Sequence, residues 1–149
     1  MAALIAWKPR YSDPRVASTR IRCLNPLAEL QAHGYPIELF NRRRVDEYAA
    51  VVYSKSYDDA TYDEAKALQK RGVRVVLDLC DNHFYNPNGL SSLRNAAAQL
   101  RRMMALADEL VASTAAMAEV MRAELSMPLS ITIIEDAVET EIRGVRTQF

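Results

Sequence analysis

VVLDLCDNHFYNPNGL, residues 75–90, begins as a buried strand and then changes character. Val75, Val76 and Leu77 lead into Asp78, Leu79 and Cys80, and the residues from Asp81 to Gly89 are dense with hydrogen-bonding groups. A continuous apolar run with no alternation is the pattern of a strand covered on both faces of a parallel sheet. Open parallel sheets hold their ligands at the C-terminal ends of the strands. The abrupt polarity after Leu79 therefore predicts both a central strand and a candidate site.

Working outward, similar apolar runs occupy residues 3–7, 49–53 and 129–134, with weaker ones at 36–40 and 109–112. Helical patterns fill most of the gaps. Residues 58–71 have acids in the first turns, Lys70 and Arg71 in the last, and Gly72 just beyond, which complements the helix dipole and supplies a stop. Leu93, Ala97, Leu100, Met104 and Ala107 form a core stripe at helical spacing, with Ser91 or Ser92 as cap. Met117, Val120, Met121 and Leu125 mark another helix, capped by Ser113 or Thr114 and ended by Pro128. The first helix spans residues 18–33 with Gly34 as its C-terminal stop, and Pro26 predicts a kink or a restart with Asn25 as N-cap. The order predicts an α/β, doubly wound, mostly parallel six-stranded sheet with helices on both faces, a Rossmann-like fold. Residues 41–48 are short for a parallel crossover. A single helical turn with strand three still parallel is expected there; an antiparallel edge is the competing reading.

A chain of 149 residues, 50% hydrophobic and 26% charged, has the size and composition of one globular domain. The formal net charge of zero gives no basic footprint for nucleic acid, and Arg42-Arg43-Arg44 reads as a solvated loop. Cys23 and Cys80 read as reduced thiols. Residues 1–7 are apolar, but Lys8-Pro9-Arg10 stops them well short of a membrane span. A cytoplasmic location is expected, with loose association at the membrane surface as a variant.

Parallel strands joined by right-handed crossovers deliver their following loops to one edge. Strand one leads towards Ser18-Thr19-Arg20-Ile21-Arg22, strand three into Ser54-Lys55-Ser56, strand four into Asp81, Asn82, His83 and Asn86, and strand five into Ser113-Thr114. Each has an ordinary structural reading as well. Ser18 or Thr19 caps a helix, Lys55 is a loop lysine, Thr114 is a cap, and Asn86-Pro87-Asn88-Gly89 is a turn. A helix start flanked by Arg20 and Arg22 can also hold a phosphate or carboxylate. Asp78, Asp81 and His83 have no repeated ligand spacing, so no metal site is expected. The chain lacks G-x-G-x-x-G, G-x-x-x-x-G-K-[ST] and G-x-S-x-G, which argues against dinucleotide, P-loop and hydrolase sites.

Three phrases carry a family resemblance. Residues 27–37, LAELQAHGYPI, look like the first helix entering strand two in the N-terminal domain of GT-B glycosyltransferases of the glycogen-synthase-like group. Residues 107–114, ADELVAST, are similar to that family's A-D-x-V-x-x-S stretch, and residues 133–139, IIEDAVE, to its V-I-x-N-G-V-D segment at the hinge. Two departures stand out: Ala17-Ser18-Thr19-Arg20 replaces a frequent Gly-Gly loop, and Asp136-Ala137 replaces Asn-Gly. The resemblance implies a GT-B N-terminal-type domain over residues 1–135, with 136–149 starting a hinge or tail. The donor-binding second domain is then expected from a separate polypeptide or a longer gene product, with a homo-oligomer as the alternative partner. It further implies sugar transfer from a nucleotide-sugar donor, a substrate rather than a cofactor, to a sugar or lipid-linked acceptor. Asp81 and His83 are then the catalytic candidates, and Ser18, Thr19, Arg20, Lys55, Asn82, Asn86 and Thr114 line the cleft. The isolated chain is expected to have little or no transferase activity. The rival class is a non-catalytic module that binds a small ligand or a partner.

Overall fold

The computed structural model describes residues 3–125 and 130–136. Its sheet has the order β2-β1-β3-β4-β5-β6, with every neighbouring pair parallel. The strands are β1 (Leu4–Pro9), β2 (Ile37–Leu39), β3 (Tyr48–Ser54), β4 (Arg74–Leu79), β5 (Glu109–Ala112) and β6 (Ile131–Ile133). Helices α1 (Ala17–Thr19) and α2 (Asn25–Ala32) precede β2. Helices α3 (Asp59–Gln69), α4 (Ser91–Leu106) and α5 (Ala115–Glu124) connect the strands from β3 to β6. The chain winds outward from β1 in one direction and from β3 in the other, so strand order reverses where these two lie side by side. The doubly wound, Rossmann-like reading of the sequence holds. The Pro128 stop, Leu129 and the 137–149 segment lie outside the described residues.

The short link before β3 is a 3-10 turn, Arg42–Arg44, capped by the Asn41 side chain accepting from the Arg43 amide at 3.0 Å. A parallel return fits here because β2 has only 3 residues, so the chain climbs back roughly 10 Å rather than a full strand length. The arginine run is solvated as its sequence suggests, with Arg42 and Arg43 exposed and Arg44 partly buried. Arg44 pairs with Glu38 and Glu47, and Arg42 reaches Glu64.

Pro26 stands in the first turn of α2, as a restart predicts, but Asn25 is not its N-cap. Between α1 and α2 the backbone takes a π-helical turn, Arg20–Leu24, and Asn25 keeps helical angles, donating its amide to the Arg20 carbonyl. Proline offers no amide and crowds the carbonyl four residues earlier; widening the preceding turn relieves both. Ser18 and Thr19 do not cap this helix: its N-cap is Val16, with no side-chain cap bond. Gly34 stops it as expected, at φ +80°, while the Tyr35 amide reaches back to the Leu30 carbonyl. Similarly, α4 is not capped by Ser91 or Ser92. Leu90 occupies that place, held by the Asn86 side chain, which accepts from its amide and donates to its carbonyl, both at 2.9 Å.

The core lies on the α3–α5 side of the sheet. Val51, Tyr53, Val75, Leu77, Leu79 and Leu110 are fully buried there against Leu100, Met103, Met104 and Met121. Leu93, read from its spacing as part of the core stripe, is instead exposed near the strand ends. The opposite face is less covered than continuous apolar strands predict. Trp7, Val52 and Val76 are only half-buried there, and with Ile21 and Pro26 they line a groove of about 480 Å³. Among the described residues no helix is long and apolar enough to cross a membrane.

One buried ion pair joins these parts. The Arg22 guanidinium, brought inward by the π-helical turn, donates to both carboxylate oxygens of Asp78 on β4, to the Ile134 carbonyl and to Asp136. Ser54 Oγ donates to Asp78 at 3.0 Å and accepts from Trp7 Nε1 at 2.8 Å. The two charged side chains are 7% and 4% exposed, so neither can fall back on water if the other is removed. Asp78→Ala is expected to lower the unfolding free energy by about 3–5 kcal/mol, whereas an Arg22→Met/Asp78→Leu double variant loses much less. Urea denaturation measures both, and an equal loss in the two variants would contradict the assigned role.

Candidate functional site

The reversal of strand order brings the ends of β1 and β3 together, and the β4 loop closes around them. A cleft of about 310 Å³ opens there, lined by Arg10, Tyr11, Lys55, Tyr57, Asn82, His83, Tyr85, Leu93 and Ala96. Lys55 leaves the end of β3 in the left-handed region, at φ +56°, an uncommon conformation for a side chain of this size. Its amide is held by the Asp78 carbonyl at 3.0 Å. The side chain bonds Asp81 and donates to Ser18 Oγ at 3.3 Å. The Lys55 contact holds the Asp81 carboxyl below its usual range, so this acid is ionised at neutral pH.

His83 is buried enough that desolvation lowers its pKa below 6.5, and the Lys55 charge lowers it further. Its tautomer follows from the neighbours. Arg10 Nη1 can only donate, and it reaches Tyr57 Oη at 3.3 Å. The buried Tyr57 hydroxyl must then send its own proton to an acceptor, and His83 Nδ1 lies 2.6 Å away. Neutral His83 therefore carries its hydrogen on Nε2. That nitrogen stands 3.8 Å from Asp81 Oδ2, too far for a direct bond. A ligand hydroxyl beside the pair, at hydrogen-bond distance from both, can accept from His83 and donate to Asp81.

The structure brings Asp81, Asn82, His83, Lys55 and Ser18 together at this edge and gives the remaining sequence candidates other contacts. Thr19 is 4% exposed and donates to the Tyr11 carbonyl, steadying the loop after β1. Arg20 reaches the Pro14 carbonyl, and Asn86 organises the turn before α4. Thr114 caps α5, accepting from the Met117 amide at 3.0 Å. Arg22 is not available to an external phosphate, because the chain's own Asp78 occupies it. That pairing also withdraws Asp78 from any metal-ligand role, and among the described residues no cluster of three metal-binding side chains occurs.

Sequence reasoning missed the aromatic wall. Tyr11, Tyr57 and Tyr85 line the cleft beside Leu93, which the helical stripe had assigned to the core. Extending each strand-end segment by a few residues would have found Arg10, Tyr11 and Tyr57. Tyr85 sits inside the opening stretch, masked by its turn residues. Compared with protein-family models and with characterised proteins, the chain matches none.

Two outcomes separate site from scaffold. In NMR titration His83 is expected to be the Nε2–H tautomer at neutral pH and to protonate below 6.5. Tyr57→Phe removes a donor to the neutral ring and so raises that pKa. Because the unfolded chain takes up this proton first, the His83 contribution to stability falls as pH drops below about 6.5. A ring protonated on Nδ1, or titrating above 6.5, would refute the assignment. Thr114→Ala is expected to cost about 1 kcal/mol in urea denaturation through loss of a cap, with His83 chemical shifts unchanged.

Proposed function

We propose that this domain is the acceptor-side half of a GT-B-type glycosyltransferase, which moves a sugar from a nucleotide-sugar donor to an acceptor. The observation that carries the reading is the Asp81–His83 pair: a neutral N–H donor that lines the cleft and an ionised acceptor 3.8 Å away beside it. Sugar hydroxyls donate and accept at once, and one such group can bridge the two from the side of the pair. The exposed Tyr85 and Tyr11 rings offer apolar surface for a pyranose face. The resemblance of residues 27–37, 107–114 and 133–139 to that family supports the same reading. The cleft also lies at the reversal of strand order, where α/β sheets hold ligands.

In this mechanism the domain orients the acceptor, and the donor's diphosphate is stabilised by a donor-binding domain. Orientation alone is a large source of rate. Asp81 is engaged by Lys55 and His83 holds its proton outward, so both act by positioning a hydroxyl rather than by removing its proton. Transfer with retention of configuration needs no separate base of this kind.

The same geometry favours one competing reading, a non-catalytic module for a small hydroxylated ligand, since no free base faces the cleft. Partner dependence discriminates the two. Nucleotide-sugar turnover that appears only when a donor-binding domain is supplied, in trans or fused after residue 149, supports the transferase half. Saturable ligand binding with no turnover under either condition supports the module. In both cases Asp81→Ala and His83→Ala are expected to weaken ligand binding by about tenfold each, with little change in melting temperature. Unfolding of both variants would mean that the loop is scaffold, and the site assignment would fall.

A further inference from the structure

Arg10 stands apart among the cations of this edge. Lys55 is neutralised by Asp81, Arg22 by Asp78 and Lys8 by Glu64. No carboxylate pairs with Arg10 among the described residues, yet the guanidinium is held in place. Its carbon lies 5.5 Å from the Tyr11 ring centroid and 5.4 Å from that of Tyr57. Its Nη1 donates to Tyr57 Oη, and its backbone amide donates to the Ser54 carbonyl at 2.9 Å. Asp58 is near enough to feel this charge, but its side chain is committed to capping α3 at the Thr61 amide.

Only Arg10 and Lys55 are charged among the residues lining the cleft. A planar fork of donors, oriented by two rings and lacking an internal counter-charge, matches the two-oxygen edge of a phosphate or carboxylate. We infer that the cleft selects a ligand carrying an oxyanion beside its hydroxylated ring, with Arg10 receiving the anion and Tyr11 and Tyr85 facing the ring. The inference rests on the acceptor-binding reading and narrows it: the acceptor is a phosphorylated or carboxylated sugar rather than a neutral one. The oxyanion can belong to a soluble sugar phosphate or to a lipid headgroup.

The test is binding to the full chain, measured by calorimetry and NMR without any transfer reaction. The probes are a hexose 6-phosphate, the parent hexose, inorganic phosphate, and phosphatidylcholine vesicles with and without phosphatidylinositol, whose headgroup joins a phosphate to a hydroxylated ring. The hexose phosphate is expected to bind about tenfold tighter than the hexose. Arg10→Met removes that difference, Arg10→Lys restores part of it, and circular dichroism confirms that both variants fold. Sedimentation with phosphatidylinositol vesicles, lost in Arg10→Met, would place the oxyanion on a lipid. Equal binding of hexose and hexose phosphate overturns the inference, as does an equal loss of both in Arg10→Met. If Asp81→Ala still weakens hexose binding in that case, the acceptor site stands and only its charge selectivity falls. Inorganic phosphate binding as tightly as the hexose phosphate would mean an unspecific anion contact, and binding of no probe would refute the site.

Discussion

The Arg22–Asp78 pair is the constraint around which the molecule is arranged. Removing two charges from water costs several kcal/mol each, and that cost is recovered only when geometry and additional hydrogen bonds are satisfied on all sides. Here the satisfaction is shared among β1 through Trp7, β3 through Ser54, β4 through Asp78, the first helix through Arg22 and the segment after β6 through Ile134 and Asp136. Elements far apart in the chain thereby acquire one registration. The π-helical turn belongs to the same arrangement, because Pro26 widens the helix in the segment that delivers Arg22.

That registration is what makes a cleft out of loops. Asp78 holds the Lys55 amide through its carbonyl while its side chain is occupied by Arg22, so the left-handed turn at Lys55 is anchored from beneath. Lys55 then reaches across to Asp81 and Ser18, tying the ends of β3 and β4 to the first helix. The polarity that follows Leu79 is thus divided by depth. Asp78 serves the fold, His83 lines the cleft with Asp81 beside it on Lys55, and Asn86 shapes the turn that leads into α4.

The residues behind the family resemblance do fold work wherever their contacts are described. Asp108 of ADELVAST accepts from the Val75 amide at 2.8 Å and from Gln69, setting β5 against β4. Thr114 caps α5, Gly34 ends α2, and Asp136 completes the ring around Arg22. Such positions explain why a pattern of this kind marks a fold more firmly than it marks a reaction. The chemistry has to be argued from the cleft and its rim: a neutral histidine with an ionised aspartate beside it, an arginine without a counter-charge, and three tyrosines.

Periodicity and turn chemistry were enough to establish the strands, their succession along the chain, the helix stops at Gly34 and Gly72 and the edge at which polar loops gather. Those features depend on local backbone preference and on the apolar pattern of each segment, both written in consecutive residues. Capping was legible at Thr114 but not at Ser18 or Ser91, where backbone geometry outside the helix decided which residue stood at its end. Tertiary structure alone decided that Arg22 is buried rather than offered to a ligand, that Leu93 lines a cleft rather than the core, and that His83 carries its proton on Nε2. Each of those facts depends on partners tens of residues away, Asp78 for Arg22, Tyr57 for His83 and the Arg10–Tyr11 segment for Leu93, and burial and protonation respond to what surrounds a group in space rather than what precedes it along the chain.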